Sequence, residues 1–286
     1  MDKIRASIVT FNTDQLLLRA AIESFSRCSL AGLLTIIDNS PNDSLRKHCE
    51  LPNVEYFFNG SNVGYGRAHN FAMTESLDKA QYHLVLNPDV SFDPSVLEQL
   101  YHFMESRLEA GLVMPRVIGP DGQLQMLCKL LPTPFDLASR RFFPFKNWLR
   151  KLNDRYEMND SGYNTVMNVP FLSGCFMFFR TEALKKVGLF DDRYFLYAED
   201  TDLSRRMHLQ FQTLFYPHVH ITHVHARGSY KDFSLTLQNI KSACQYFNKW
   251  GWWFDEERKQ INERALLASS NSEMEQKQSL REVSAA

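Results

Sequence analysis

A chain of 286 residues, 44% of them hydrophobic, is long enough to bury one large core or two modest ones. Its 32 Lys+Arg against 33 Asp+Glu leave a net charge of −1, so no global field draws it to nucleic acid, and attraction to anionic lipid must come from a local patch. Its five cysteines, Cys28, Cys49, Cys128, Cys175 and Cys244, are too scattered to clamp zinc or run redox chemistry, and reduced thiols in a cytoplasmic setting are expected.

From the N-terminus, MDKIRASIVTFN has too short an apolar run for a secretory signal, and no segment reaches the roughly eighteen apolar residues that span a bilayer. The runs RASIVTFN, LLTIIDNS, VEYFF, YHLVLNP and LVMPRVI predict strands, with helices starting near Thr13, Arg67 and Pro94. That alternation predicts an α/β domain with a mostly parallel sheet, in which ligands sit beyond the carboxyl ends of the strands. Those ends carry Thr10 and Asn12, Asp38 and Asn39, and Asn87 and Asp89.

After a turn at GPDG (119–122), the Pro-, Arg- and aromatic-rich stretch 131–167, including RRFFPFKNWLRK, has no assigned structure. VPFLSGCFMFFR predicts an apolar strand, TEALKKVG a short helix, and FQTLFYPHVHITHVH a strand pair. Residues 233–267 read as helix interrupted at KWGWWF, and SSNSEMEQKQSLREVSAA, from 269 onward, as a disordered polar tail.

Four features can carry chemistry. In LVLNPDV, Pro88 stops the strand and Asp89 projects from a rigid edge, where one carboxylate with a neighbouring amide suffices for a hard cation that also binds phosphates; a helix-capping turn explains it equally. GSNVGYGRAHNFA places glycines, asparagines and Arg67 before a helix, suited to an anion or simply to a tight connection. YAEDTDLSRR sets three carboxylates at a helix start, more than capping requires, behind the aromatic wall RYFLY. In PHVHITHVHARGS, strand periodicity puts Val219, Ile221, His223 and His225 on one face and His218, His220, Thr222 and Val224 on the other; a zinc site would need histidines from both.

The order of these segments resembles glycosyltransferase family 2, and within it the bacterial rhamnosyltransferases of cell-surface polysaccharide (O-antigen or capsule) synthesis. SIVTFN, IIDNS, NVGYGRAHN, LVLNPDV, FLSGCFMFFRTEALKKVGLFDDRYFLYAEDTDLSRR and THVHARGS carry the resemblance over roughly residues 5–230. It implies the GT-A fold over 1–232, with a nucleotide-binding half (1–120) and an acceptor half (121–232), then a helical extension (233–268). By resemblance Thr10, Asn12 and Asp38 hold the nucleoside, and Asn62, Gly64 and Arg67 line the base and diphosphate. Asp89 matches the last acid of the family's metal-binding triplet, whose first position here is Asn87. His223 then supplies a further ligand to a divalent cation, Mg²⁺ or Mn²⁺. Asp200 matches the base that deprotonates the acceptor hydroxyl, with Glu199 orienting the acceptor and Gly174 and Tyr197 beside it.

The implied reaction is a single displacement with inversion, needing no protein nucleophile; Ser173 and Cys175 are assigned none. The resemblance suggests dTDP-rhamnose as donor, with a UDP-sugar as the alternative, and a saccharide on a polyprenyl diphosphate as acceptor. The basic–aromatic segments 140–151 and 247–254 suit peripheral contact with the inner face of a cell membrane, or equally a packed helical subdomain. Asn87 motivates a rival reading, a non-catalytic carbohydrate-binding or scaffold protein on the same fold; the histidine strand motivates another, a zinc hydrolase.

Overall fold

The computed structural model describes residues 1–142, 146–224 and 233–285. Most side chains of RRFFPFKNWLRK, and residues 225–229 of THVHARGS, lie outside the described residues. In chain order the elements are β1 (Asp2–Thr10), α1 (Gln15–Ser26), β2 (Ala31–Asp38), β3 (Val54–Phe58), α2 (Tyr65–Ser76), β4 (Ala80–Leu86), β5 (Val90–Ser91), α3 (Ser95–Glu105), β6 (Ala110–Ile118) and β7 (Cys128–Lys129). There follow α4 (Pro134–Phe142), α5 (Lys146–Tyr156), β8 (Met167–Asn168), β9 (Phe171–Leu172), β10 (Phe176–Arg180), α6 (Thr181–Val187), α7 (Glu199–His208), β11 (Gln212–His223), α8 (Phe233–Trp250) and α9 (Glu256–Ala285).

The main sheet runs β3-β2-β1-β4-β10-β6-β11-β5, with β8 added on β11. Strands β3, β2, β1 and β4 are parallel; β10 lies antiparallel between β4 and β6, and β11 is parallel to β6. Each of the five runs read as early strands forms one. Their β-branched and leucine-rich centres are buried because helices cover the sheet, which is why Ala6 to Thr10 are all buried instead of alternating. Asp14 caps α1 by accepting from the N–H groups of Leu16 and Leu17, and the stripe Leu18, Ala21, Ile22 and Phe25 enters the core.

Three expectations change. The strand pair is one strand, β11, whose register against β6 shifts between Tyr216 and His220. Pro217, which has no N–H to give the ladder, lies in that shift, so the sequence signal for a break is a bulge. The unassigned stretch contains α4 and α5. Helix α9 continues to Ala285, through the polar segment read as a disordered tail.

The C-terminal helices pack onto the sheet domain. Tyr246 and Phe247 cluster with Tyr194, and Ile261 with Leu131 and Phe171. Arg205, almost fully buried, makes a two-pronged ion pair with Asp255 at 2.7 and 2.8 Å, and its guanidinium lies 4.1 Å from the Trp250 ring centre. Gly251, at φ +99°, makes the turn between α8 and α9.

Candidate active site

β1 and β2 end level, with Thr10 beside Asp38 in the parallel register. Both residues are fully buried. One Asp38 oxygen accepts the Tyr56 hydroxyl at 2.5 Å and the other the Ser40 N–H at 2.9 Å. Asp38 therefore holds Tyr56 and Ser40, the groups that line the surface above it, and does not itself face open space. Exposed Asn12 sits at φ +50° and donates its N–H to Ser40 Oγ at 2.9 Å. Thr10 Oγ1 is buried with no hydrogen-bond partner.

The loop after β3 is shaped by Asn39. Its amide donates to Asn62 Oδ1 at 3.3 Å and to the Gly64 carbonyl at 3.2 Å, and accepts from Asn59 at 2.8 Å. Gly64, at φ +96°, passes so close to Phe195 that a Cβ would lie 2.6 Å from its carbonyl oxygen. Arg67 is exposed in the first turn of α2.

Tyr65 joins the two halves. Its N–H donates to the Phe195 carbonyl at 2.9 Å, and its hydroxyl is shared between the Gly174 carbonyl at 2.7 Å and Asn87 Oδ1 at 3.0 Å. The Asn87 N–H donates to the Cys175 carbonyl at 2.9 Å, and the Gly174 N–H donates to Asp200 Oδ2 at 3.0 Å. A continuous hydrogen-bonded path thus runs from the tip of β4 to the start of α7. Burial, with Glu199, Asp200, Cys175 and Asp89 nearby, pushes the Tyr65 pKa well up, so it keeps its proton.

Asp89 Oδ1 lies 3.5 Å from His223 Nε2. Gln125 fixes the imidazole: its amide N–H donates to the His223 carbonyl at 2.8 Å, which turns its oxygen toward His223 Nδ1 at 2.9 Å. Nδ1 therefore donates to Gln125, which holds Nε2 turned toward the carboxylate. One carboxylate and one oriented imidazole fit a divalent cation that takes its other ligands from phosphate and water. Among the described residues no group of three or more His, Cys, Asp or Glu side chains could hold a metal ion. His223 shares the buried face of β11 with Val219 and Ile221, whereas His218 and His220 are exposed opposite, so among the described residues the histidine strand gathers no zinc cluster.

The acids at the start of α7 are held by a strained turn. Tyr197 and Ala198 are both left-handed, at φ +70° and +68°, and Ser242 of α8 donates its hydroxyl to the Leu196 carbonyl at 2.7 Å. Glu199 and Asp200 line a cleft of about 1150 Å³ together with Lys129, Gln125, Phe171 and Tyr197. Burial first, then the Asp200 charge, pushes the Glu199 pKa up to about 8. Burial also raises that of Asp200, opposed by the Gly174 N–H, Lys129 and the Thr201 N–H. The third acid serves architecture: fully buried Asp202 pairs with Arg206 at 2.8 Å and Lys249 at 2.7 Å, and accepts the Trp250 indole N–H at 2.7 Å.

Tyr65, Tyr56, Gln125 and Ser242 escape the sequence reading, and Asn39, read only as a polar strand end, proves to organise the loop after β3. Tyr65 lies inside the quoted NVGYGRAHN, but nothing local shows that its hydroxyl reaches Gly174. Gln125 follows a surface turn, and Ser242 belongs to a helix read only as an extension.

Residues 7–188 match the family model described as glycosyl transferase family 2. The chain is 26% identical over 234 residues to an N-acetylglucosaminyl-diphospho-decaprenol L-rhamnosyltransferase of Mycobacterium tuberculosis, covering 76% of this chain and 73% of that protein. It is 25% identical over 227 residues to the rhamnosyltransferase WbbL of Escherichia coli K12, covering 74% and 81%. Among solved structures, S. aureus TarS residues 1–349 superposes with a TM-score of 0.54 at 15% identity, over 94% of this chain and 72% of that one. GalNAc-T7 with UDP, GalNAc and Mn²⁺ superposes with a TM-score of 0.58 at 14% identity, over 78% of this chain but only 43% of the longer neighbour. These superpositions show the GT-A fold. With the family model covering well over half its length, the chain belongs to glycosyltransferase family 2.

Proposed function

We propose that this glycosyltransferase moves rhamnose from dTDP-rhamnose, with inversion, onto a hydroxyl of a saccharide carried on a polyprenyl diphosphate, in cell-surface polysaccharide synthesis. The observation that carries the reading is the path Asn87–Tyr65–Gly174–Asp200, which ties the donor-side strand tip to the acid of the acceptor cleft. The donor and acceptor groups are parts of one site. The rhamnosyltransferase relatives support the choice of sugar, and the N-acetylglucosaminyl-diphospho-decaprenol in one relative's name supports the acceptor class.

In this reading Asp200 accepts the proton of the acceptor hydroxyl, and the Gly174 N–H holds the receiving carboxylate in place. Thr10, Asn12, Asn62, Gly64 and Arg67 receive the nucleotide, with Asp38 acting through Tyr56 and Ser40. Asp89 and His223 would hold Mg²⁺ or Mn²⁺, which when bound offsets charge developing on the departing diphosphate. No nucleophile from the chain is required.

A lipid-linked acceptor supports a place for the work beside a membrane, which this reading takes to be the inner face of the cell membrane. Among the described residues no helix is long and apolar enough to cross one. Trp253 is 70% and Phe254 100% exposed in the α8–α9 turn, which suits peripheral contact with the interface.

The test is a thermal-shift screen of nucleotide sugars with Mg²⁺ or Mn²⁺, followed by transfer to N-acetylglucosaminyl-diphospho-polyprenol. A ligand of the native state raises the melting temperature. dTDP-rhamnose is expected to bind and turn over. A response confined to a UDP-sugar would replace the donor, and binding without turnover of any donor would favour a non-catalytic carbohydrate-binding protein.

A further inference from the structure

With Asp200 read as the base, the family resemblance leaves Glu199 to orient the acceptor but names no chemistry by which it does so. Glu199 is 4% exposed and lines the cleft, yet its Oε2 has no hydrogen-bond partner. A buried polar group left unpaired is destabilising, so a bare carboxyl oxygen at a cleft wall marks a place where a ligand completes the bonding. Gly66 of α2 lets that helix lie against Phe190 and beside Glu199: a Cβ there would lie 2.8 Å from Phe190 Cβ and 3.5 Å, an ordinary contact, from Glu199 Cβ.

The groups around the pair settle which carboxyl keeps a proton. Asp200 accepts the Gly174 N–H at 3.0 Å and the Thr201 N–H at 2.8 Å, and feels the Lys129 ammonium. Glu199 accepts from its own N–H and that of Tyr197, and faces Asp200 on its own helix and Tyr65 from α2, whose hydroxyl is committed to Gly174 and Asn87. Cys175, close to Asp200, is held protonated by burial. Two adjacent carboxyls in a dry site do not both ionise readily; both accept backbone N–H groups, but Asp200 also has the Thr201 hydroxyl and the Lys129 ammonium, so it takes the charge, and the proton stays on Glu199, one of whose oxygens is bare.

We propose that Glu199 acts as a carboxylic acid, donating its proton in a hydrogen bond to a lone pair on the acceptor saccharide beside the hydroxyl that Asp200 deprotonates. No bond to carbon forms or breaks in this contact. It selects acceptors bearing an oxygen there as hydroxyl, ether or amide carbonyl, and it asks nothing of that oxygen's own hydrogen. A methyl ether at that position keeps the contact, whereas a deoxy sugar loses it. The inference rests on the transferase reading above, but its proton can be measured without substrate.

In infrared spectra of the unliganded wild type, the Glu199 carboxylic-acid C=O band should be present at pH 7, disappear with a midpoint near pH 8, and be absent from Glu199→Gln. An ionised Glu199 at pH 7 overturns the proposal whatever the enzyme transfers. In transfer from dTDP-rhamnose to N-acetylglucosaminyl-diphospho-polyprenol, Glu199→Gln, whose amide still donates, should stay within a few-fold of wild type, and Glu199→Ala should lose roughly 10–100-fold in kcat/KM. The wild-type profile should fall above pH 8, and that limb should vanish in Glu199→Gln. A glutamine variant as impaired as the alanine one, or one retaining the alkaline limb, would also overturn it. A wild type that turns over no nucleotide sugar would instead sink the proposed function, while the spectrum still decides the proton.

Discussion

The Gly174 N–H donates to Asp200 Oδ2 at 3.0 Å, and the carbonyl of the same glycine accepts from Tyr65. One residue thus fixes the base through its N–H and ties it to the donor side through its carbonyl. Asp200→Asn keeps the shape and removes the proton acceptor, so turnover should fall roughly 10²–10⁴-fold with nucleotide-sugar affinity unchanged. Gly174→Ala would bring a Cβ within 3.3 Å of Asp200 Oδ2 and should lower kcat by shifting the carboxylate. Steady-state kinetics beside calorimetric donor binding separates these effects; equal loss of donor affinity in Asp200→Asn would contradict the assignment.

Asp89→Ala and His223→Ala should each weaken donor binding in Mg²⁺ or Mn²⁺, and neither should change the residual binding measured in chelator. Gln125→Ala should give a milder form of the His223 defect, because it frees the imidazole to turn. Wild-type donor affinity that is the same with and without chelator would remove the cation from this site.

Stability should fall on mild acidification. Burial lowers the pKa of His83 to about 3 and of His208 to about 4, and that of His69 well below its ordinary value. Each titrates near 6.5 in the unfolded chain, so the unfolded state binds more protons and the contribution, complete above pH 6.5, is lost as pH falls toward the folded values. Glu199, raised to about 8, works in the opposite sense between there and its unfolded value, and cancels roughly one histidine. The net loss from pH 6.5 to 5.5 should be roughly 2 kcal/mol. Urea midpoints at the two pH values check this, and an unchanged midpoint would refute it.

The Arg205–Asp255 pair should matter more than its surface counterparts. Asp255→Ala leaves a buried guanidinium with exposed Glu257 as its remaining acidic partner at 3.0 Å, and should cost about 3 kcal/mol in equilibrium unfolding. Breaking the exposed Arg19–Glu23 pair should cost under about 1 kcal/mol.

The strands and their polar ends are legible in the sequence because β-branched runs and stop residues are local signals. Asp89 and Asp200 are legible for the same reason, each sitting where a regular element begins or ends. What escapes is non-local. Asp202 looks like its neighbours at 199 and 200 until Lys249 and Trp250 arrive from α8. Tyr65 reads as a helix-start aromatic, since its target at Gly174 is distant in sequence. Asp38 reads as a ligand-facing acid because nothing in IIDNS reveals Tyr56 above it. Helices α4 and α5 are hidden by prolines and cations that blur the apolar spacing.

The brace that Ser242, Lys249 and Trp250 place on the turn before α7 has a consequence for synthesis. A chain emerges from the ribosome amino end first, so the sheet can assemble while the segment at 194–200 still lacks its clasp. A chain ending before α8 should therefore form its sheet yet transfer no sugar, an outcome that circular dichroism beside a transfer assay would check.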